Sequence, residues 1–206
     1  MNKRHSVFFL TLLLFTCHFS LVSAQTPNAR QAREIFDKVW KSAFGPQGAT
    51  FHYKVNIIGI YKTEGTIWQK EKKSRYQSET TKMWNDGETC YVVKKKEVQI
   101  YRADDEGRDK HASKFKFEPD NYNYSIADDK QGLMLTMKQK SSKMKGVSEV
   151  RLLIDRHTFA PIRLRIKVGI VHATVTISQF RSGGIDDGLF QFPHEQYKHL
   201  KVVDKR

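Results

Sequence analysis

Hydrophobic and polar positions alternate most strictly between Val150 and Phe180. Ile162, Leu164, Ile166 and Val168 take every second place, with Arg163, Arg165 and Lys167 between them. Such alternation marks a strand with one buried face and one wet face. After Gly169 the pattern resumes, with Val171, Ala173, Val175 and Ile177 set against His172, Thr174, Thr176 and Ser178. Val150–Asp155 supplies a strand upstream. Turn residues at Asp155–Thr158 and near Gly169 then predict a three-stranded antiparallel meander. Ile166 and Arg165 fall on opposite faces of it. The face carrying Ile162, Leu164, Ile166 and Val168 must be covered, by protein or by a guest.

The rest of the chain falls into elements around this run. Ala29, Ala32, Ile35, Phe36, Val39, Trp40 and Ala43 recur at three- and four-residue spacing. That stripe predicts an amphipathic helix over Ala29–Phe44, with Asn28 as N-cap and Gly45-Pro46 as its stop. Phe36 and Trp40 are large for a surface helix and need a broad apolar face to pack on. From Ala49 the reading is strand after strand. Phe51, Tyr53, Val55 and Ile57 alternate with His52, Lys54 and Asn56, and Gly59 suggests a bend or bulge. A turn is expected at Thr63-Glu64, followed by Gly65–Gln69 and a one-sided strand over Arg75–Thr81. Asn85-Asp86-Gly87 is a hairpin turn between Met83-Trp84 and Cys90–Val93. Glu97–Tyr101 follows. Ala103–Lys114 is almost devoid of apolar residues and reads as a loop or a weak solvated helix. Phe115, Phe117, Tyr122 and Tyr124 restore apolar content. Leu133, Leu135 and Met137 make a strand, Lys138–Gly146 a basic turn, and Val202-Val203 a last strand. The expected fold is mainly β with one helix: about ten strands in antiparallel order.

The first two dozen residues are set apart from this pattern. Lys3, Arg4 and His5 precede an apolar run from Val7 to Phe19, and Val22-Ser23-Ala24 fits a signal-peptidase site. Residues 1–24 are therefore expected to be a signal peptide cleaved after Ala24. Residues 25–206 would form a single exported domain. A lipidated Cys17 is the rival reading, but Phe15-Thr16 before it is not the small-residue site that lipidation needs. Cleavage removes Lys3 and Arg4, so the net charge falls from +14 to +12. Only Cys90 would remain, so the core alone must hold the domain together. A basic balance favours anionic partners in general. Lysines on the wet faces and turns of strands also discourage edge-to-edge pairing, which accounts for many of them.

Candidate chemistry is sparse. His52, His111, His157, His172, His194 and His199 show no metal-ligand spacing with one another or with Cys90. Asp104-Asp105-Glu106 and Asp186-Asp187 lie in turns without a partnered acid or base. No nucleophile elbow and no phosphate-cradling glycine loop is present in the sequence. Catalytic, metal and cofactor residues are therefore all expected to be none. Strand-borne aromatics beside basic residues could stack nucleic-acid bases. An exported protein rarely needs that, and core packing accounts for Trp68, Trp84, Tyr91 and Phe180.

Two phrases carry a family resemblance. Leu153-Ile154-Asp155-Arg156-His157-Thr158-Phe159-Ala160-Pro161-Ile162-Arg163-Leu164 resembles the apolar-Asp-x-x-Thr-x-x-Pro hairpin of the periplasmic outer-membrane lipoprotein carriers, the LolA-like proteins. Val175–Phe180, then Asp186 and Phe190-Gln191-Phe192-Pro193, is similar to that family's closing strand, short loop and Phe-x-x-Pro. The resemblance implies a half-open antiparallel barrel with the N-terminal helix as a lid over an apolar cavity for acyl chains. It also implies a second lid helix in mid-chain, for which Ala103–Lys114 is too charged.

On this basis the expected function is a non-catalytic periplasmic carrier or binder of acylated cargo, lipoproteins or lipids. Its expected partners are that cargo, an inner-membrane release complex and an outer-membrane acceptor, with the protein itself a monomer. The candidate acyl-cavity residues are Phe36, Trp40, Val55, Ile57, Trp68, Trp84, Tyr91, Leu164, Ile166, Val175 and Ile177. The alternative is an envelope scaffold or stress-sensor domain of the same fold that binds a protein and no lipid.

Overall fold

The computed structural model describes residues 26–57, 61–104, 117–141 and 146–206. The leader expected at 1–24, Gly59 and most of the charged Ala103–Lys114 segment lie outside them. Helix α1 runs over Pro27–Phe44. Its N-cap is Thr26, whose hydroxyl accepts from the Ala29 N–H at 3.2 Å, and not the expected Asn28. Asn28 instead clamps a distant strand: its side chain donates to the Ile126 carbonyl at 2.8 Å and accepts from the Ile126 N–H at 3.0 Å. Gly45 ends the helix, its N–H returning to the Lys41 carbonyl.

Among the described residues twelve strands form one sheet. They are β1 (Ala49–Ile57), β2 (Tyr61–Lys70), β3 (Lys73–Ser78), β4 (Thr81–Asn85), β5 (Thr89–Lys94) and β6 (Glu97–Arg102). Then come β7 (Tyr122–Asp129), β8 (Gly132–Gln139), β9 (Val147–Ile154), β10 (Pro161–Val168), β11 (Val171–Ser182) and β12 (Lys201–Asp204). Their order in the sheet is β12-β6-β5-β4-β3-β2-β1-β11-β10-β9-β8-β7. The sheet does not close on itself; β12 and β7 are its edges. Every pairing is antiparallel except β12 with β6, which is parallel. An open, largely antiparallel sheet with an N-terminal helix is the mainly-β architecture expected from the sequence.

Two expectations shift. Thr63-Glu64 is not a turn: both residues lie inside β2, paired with Val55 and Lys54. Strand β7 shows in the sequence only as a pair of tyrosines, because its alternation is lost after Ile126, at Ala127, Asp128 and Asp129. The expected meander is present as β9–β10–β11. Its first turn is built on Asp155, whose carboxylate accepts from the N–H groups of His157 and Thr158 and from the Thr158 hydroxyl. Those bonds hold the carboxyl below its ordinary pKa.

The sheet carries a core on each face. The inner face of β7–β11 packs on α1 through Ile35, Phe36, Val39, Tyr122, Tyr124, Leu135, Met137, Val150, Leu152 and Ile154. On the outer face, Trp84, Val93 and Val98 are covered by Tyr197, Phe192 and Leu200 of the C-terminal segment. Phe192 stacks on Tyr91 at 4.4 Å. That segment is also pinned at its start. The Asp187 carboxylate sits 2.7 Å from Lys70 Nζ and 2.8 Å from Lys73 Nζ, and the two ammonium groups hold it at about 2.

Candidate binding cavity

Helix α1 crosses the strands instead of running along them. Eighteen helical residues span about 27 Å, and the five strand-to-strand steps from β7 to β1 span about 24 Å. Asn28 holds one end at β7, and the Ser182 hydroxyl donates to the Ser42 carbonyl at 2.8 Å beside β1 at the other. The apolar stripe of α1 therefore lies over the whole inner face of β7–β11.

The stripe and the sheet do not meet everywhere. Between them is a cavity of 310 Å³. The helix contributes Phe36, Val39, Trp40, Ala43 and Phe44. The strands contribute Phe51, Met137, Val147, Val150, Leu152, Pro161, Leu164, Ile166, Val175, Ile177 and Phe180, and Phe117 completes the wall. Every lining side chain is apolar. Phe36, Trp40 and Phe44, spaced by four, form an aromatic ladder with ring centroids 5.7 and 4.4 Å apart. Its outer rungs reach water: Trp40 is 44% exposed and Phe44 37%.

The neighbouring polar groups are turned away and satisfied. Tyr122 donates to the Val147 carbonyl at 2.6 Å, and Tyr124 donates to the Pro119 carbonyl at 2.8 Å. Burial pushes the Tyr124 hydroxyl up to about 12, against the pull of Arg33, whose guanidinium lies 5.3 Å from its ring centre. Each hydroxyl hydrogen is committed to a backbone carbonyl, so neither phenol presents a donor to the cavity. Among the described residues no His, Cys, Asp or Glu cluster could hold a metal ion. The arrangement can bury apolar groups; it offers no side chain to react with them.

A single bulge shapes the cavity floor. The β1–β11 register shifts between Thr50↔Arg181 and His52↔Ser178, and Gln179 takes a left-handed backbone with φ 54°. One extra residue there reverses the alternation of β11. Ile177 and Phe180, an odd number apart, consequently share the inner face, and Phe180 stands 6.2 Å from Phe51 across the cavity floor.

Of the residues expected from the sequence, Phe36, Trp40, Leu164, Ile166, Val175 and Ile177 come together around the cavity. Val55 and Ile57 pair with Val175 and Ala173, so they share the inner face but lie beyond the rim. Trp68, Trp84 and Tyr91 do not belong to the group. Trp68 pairs with Thr50 and Arg75, Arg75 with Trp84, and Trp84 with Tyr91, which places all of them on the outer face. The Arg75 guanidinium lies 4.9 Å from the Trp68 ring and 5.5 Å from the Trp84 ring. Cation–π contact with the indoles is what its buried, unbonded Nε receives instead of a hydrogen bond. Phe44, Met137, Val150 and Leu152 were within reach of the same periodicity that found Phe36 and Leu164. Phe180 was not, because the bulge puts it out of phase.

No family model and no curated protein matches the chain. Solved structures do. An uncharacterized conserved protein from Thermus thermophilus superposes with a TM-score of 0.56 at 13% identity, over 85% of this chain and 99% of that one. The likeness is one of fold. A LolA superfamily protein from Nitrosomonas europaea gives 0.40 at 8% identity, over 79% of this chain and 98% of that one. A putative outer membrane lipoprotein-sorting protein domain from Vibrio parahaemolyticus gives 0.43 at 11%, over 80% and 97%. The last two scores are too low to bear on function. Among the described residues no helix is long and apolar enough to cross a membrane.

Proposed function

We propose that this protein is a non-catalytic carrier or binder of acylated cargo, lipids or lipoproteins, that takes acyl chains into the cavity under α1. The observation that carries the reading is a 310 Å³ space walled only by apolar side chains, with Trp40 and Phe44 in contact with water at its margin. That volume is at the lower end of the usual range for small-molecule sites. Each methylene taken from water contributes ~0.8 kcal/mol, so a dozen would contribute on the order of 10 kcal/mol before ordering costs. No polar group inside competes for a headgroup, which would stay outside beside the aromatic margin.

A fluorescent fatty acid titrated into micromolar protein should bind saturably. Trp40→Ala should weaken it about tenfold, or ~1.4 kcal/mol. Because Trp40 is 44% exposed, its loss should destabilise the fold by less than the ~3–5 kcal/mol of a buried tryptophan. Failure of the unaltered protein to bind at all would favour the envelope scaffold or sensor.

The reading also places the protein in the periplasm, delivered by the 1–24 leader. Intact-mass measurement of the exported form should give a chain starting at Gln25. A mass carrying acyl groups on Cys17 would overturn that part of the proposal.

A further inference from the structure

The outer face of β8–β10 carries a charge pattern that packing does not explain. Its ionisable residues are Lys138, Glu149, Arg151, Arg163, Arg165 and Lys167, five cations with one carboxylate. Glu149 is already engaged by Arg151 and lies 4.0 Å from Lys138 Nζ. Arg165 stands directly opposite Arg151 in the β9–β10 register, and Lys167 stands opposite Glu149 there and opposite the uncharged His172 in the β10–β11 register. Like charges facing across a ladder are destabilising. Glu149 is shared between Arg151 and Lys138, and among the described residues no carboxylate lies within ion-pair distance of Arg165 or Lys167.

The same strands end in an apolar tip. Val168 pairs with Val171, leaving Gly169 and Ile170 as the turn, with Gly169 at φ 57°. Ile170 is 95% exposed and Val171 38%. Tight hairpin turns favour glycine, asparagine or aspartate, and nothing in the fold needs a branched aliphatic side chain at this position. A projecting apolar tip flanked by unpaired cations has the chemistry of a surface that meets the boundary between phosphate headgroups and acyl chains.

We infer that the β10–β11 hairpin docks the protein on an anionic phospholipid bilayer, with Ile170 and Val171 entering the interface and Arg165 and Lys167 facing the lipid phosphates. This surface is separate from the cavity. Its elements match the two parts of a lipid: the tip has no polar side chain for a protein surface to bond, and the five cations share a single carboxylate.

Sedimentation with vesicles tests it. The protein should bind vesicles of phosphatidylcholine mixed with phosphatidylglycerol, not phosphatidylcholine alone, and added salt should release it. Ile170→Ser should weaken that binding about tenfold. The double change Arg165→Gln, Lys167→Gln should weaken it by roughly 25-fold, at about fivefold per cation. Both variants should keep the wild-type affinity for the fluorescent fatty acid, which separates this surface from the cavity reading. Equal binding to the two vesicle types, no binding to either, or an Ile170→Ser variant indistinguishable from wild type would each overturn the inference.

Discussion

Leu135→Asp should leave no folded protein at 25 °C, whereas Thr136→Asp, one residue along the same strand, should fold and melt within a few degrees of wild type. Leu135 is 0% exposed and belongs to the core between α1 and β7–β9. It pairs with Ile126 on one side and Leu152 on the other, so an aspartate there meets no cation and no donor. Burying a carboxylate without a partner costs several kcal/mol, and the lost leucine adds ~2–5 kcal/mol. A domain of this size has only ~5–15 kcal/mol to lose. Thr136 points to the outer face and pairs with Arg151, so a carboxylate at that position gains a cross-strand cation. Circular dichroism melts of the two variants decide the matter. A cooperative transition near the wild-type temperature for Leu135→Asp would mean that the inner and outer faces have been interchanged.

Val175→Phe should abolish measurable acyl binding while leaving the melting temperature unchanged or higher. Val175 lines the cavity, between its cross-strand neighbours Val55 and Leu164. A ring added there has the 310 Å³ space to enter. Filling a void commonly raises stability by ~0.5–2 kcal/mol, while a guest must now compete with a covalently fixed occupant. An affinity loss of about a hundredfold, equivalent to ~2.7 kcal/mol, is expected. The opposite signs of the two effects make the test sharp. A variant that melts higher yet binds the fluorescent fatty acid as before would place the acyl chain elsewhere. A variant that merely unfolds would show that the space is too rigid to accept the ring, and Val150→Phe, at another point of the wall, would then take its place.

Periodicity was enough where one face of an element is apolar and the other polar. Helix α1 and the β9–β11 meander are of this kind, and they supply the six expected residues that line the cavity. It was not enough in β2–β5, where Ile67 and Trp68, Met83 and Trp84, and Tyr91 and Val92 put apolar side chains on both faces. There the register decides, and it is set by pairings with Thr50 and Arg75 that no local pattern reveals. Trp84 accordingly belongs to a second core, which needs the C-terminal segment as its cover. The parallel addition of β12 is equally non-local, since its partner β6 lies far upstream. Phe180 was lost to a bulge at Gln179, a residue whose type gives no hint of a left-handed backbone.

The pairing of β1 with β11 sets an order of events for a chain delivered from its N-terminus. Tyr53 waits for Ile177. Until that late strand arrives, β1–β6 form a ribbon with both margins unsatisfied, one awaiting β11 and the other β12. Long-range pairings of this kind are slow to nucleate, and open strand margins recruit other chains in the interval. Helix α1 is made first but has nothing to rest on until β7–β11 exist, so its aromatic stripe spends the same interval uncovered. The protein's most vulnerable period thus falls between the emergence of Trp40 and that of Phe180, and a nascent-chain chaperone would find both a sticky helix and bare strand edges to hold.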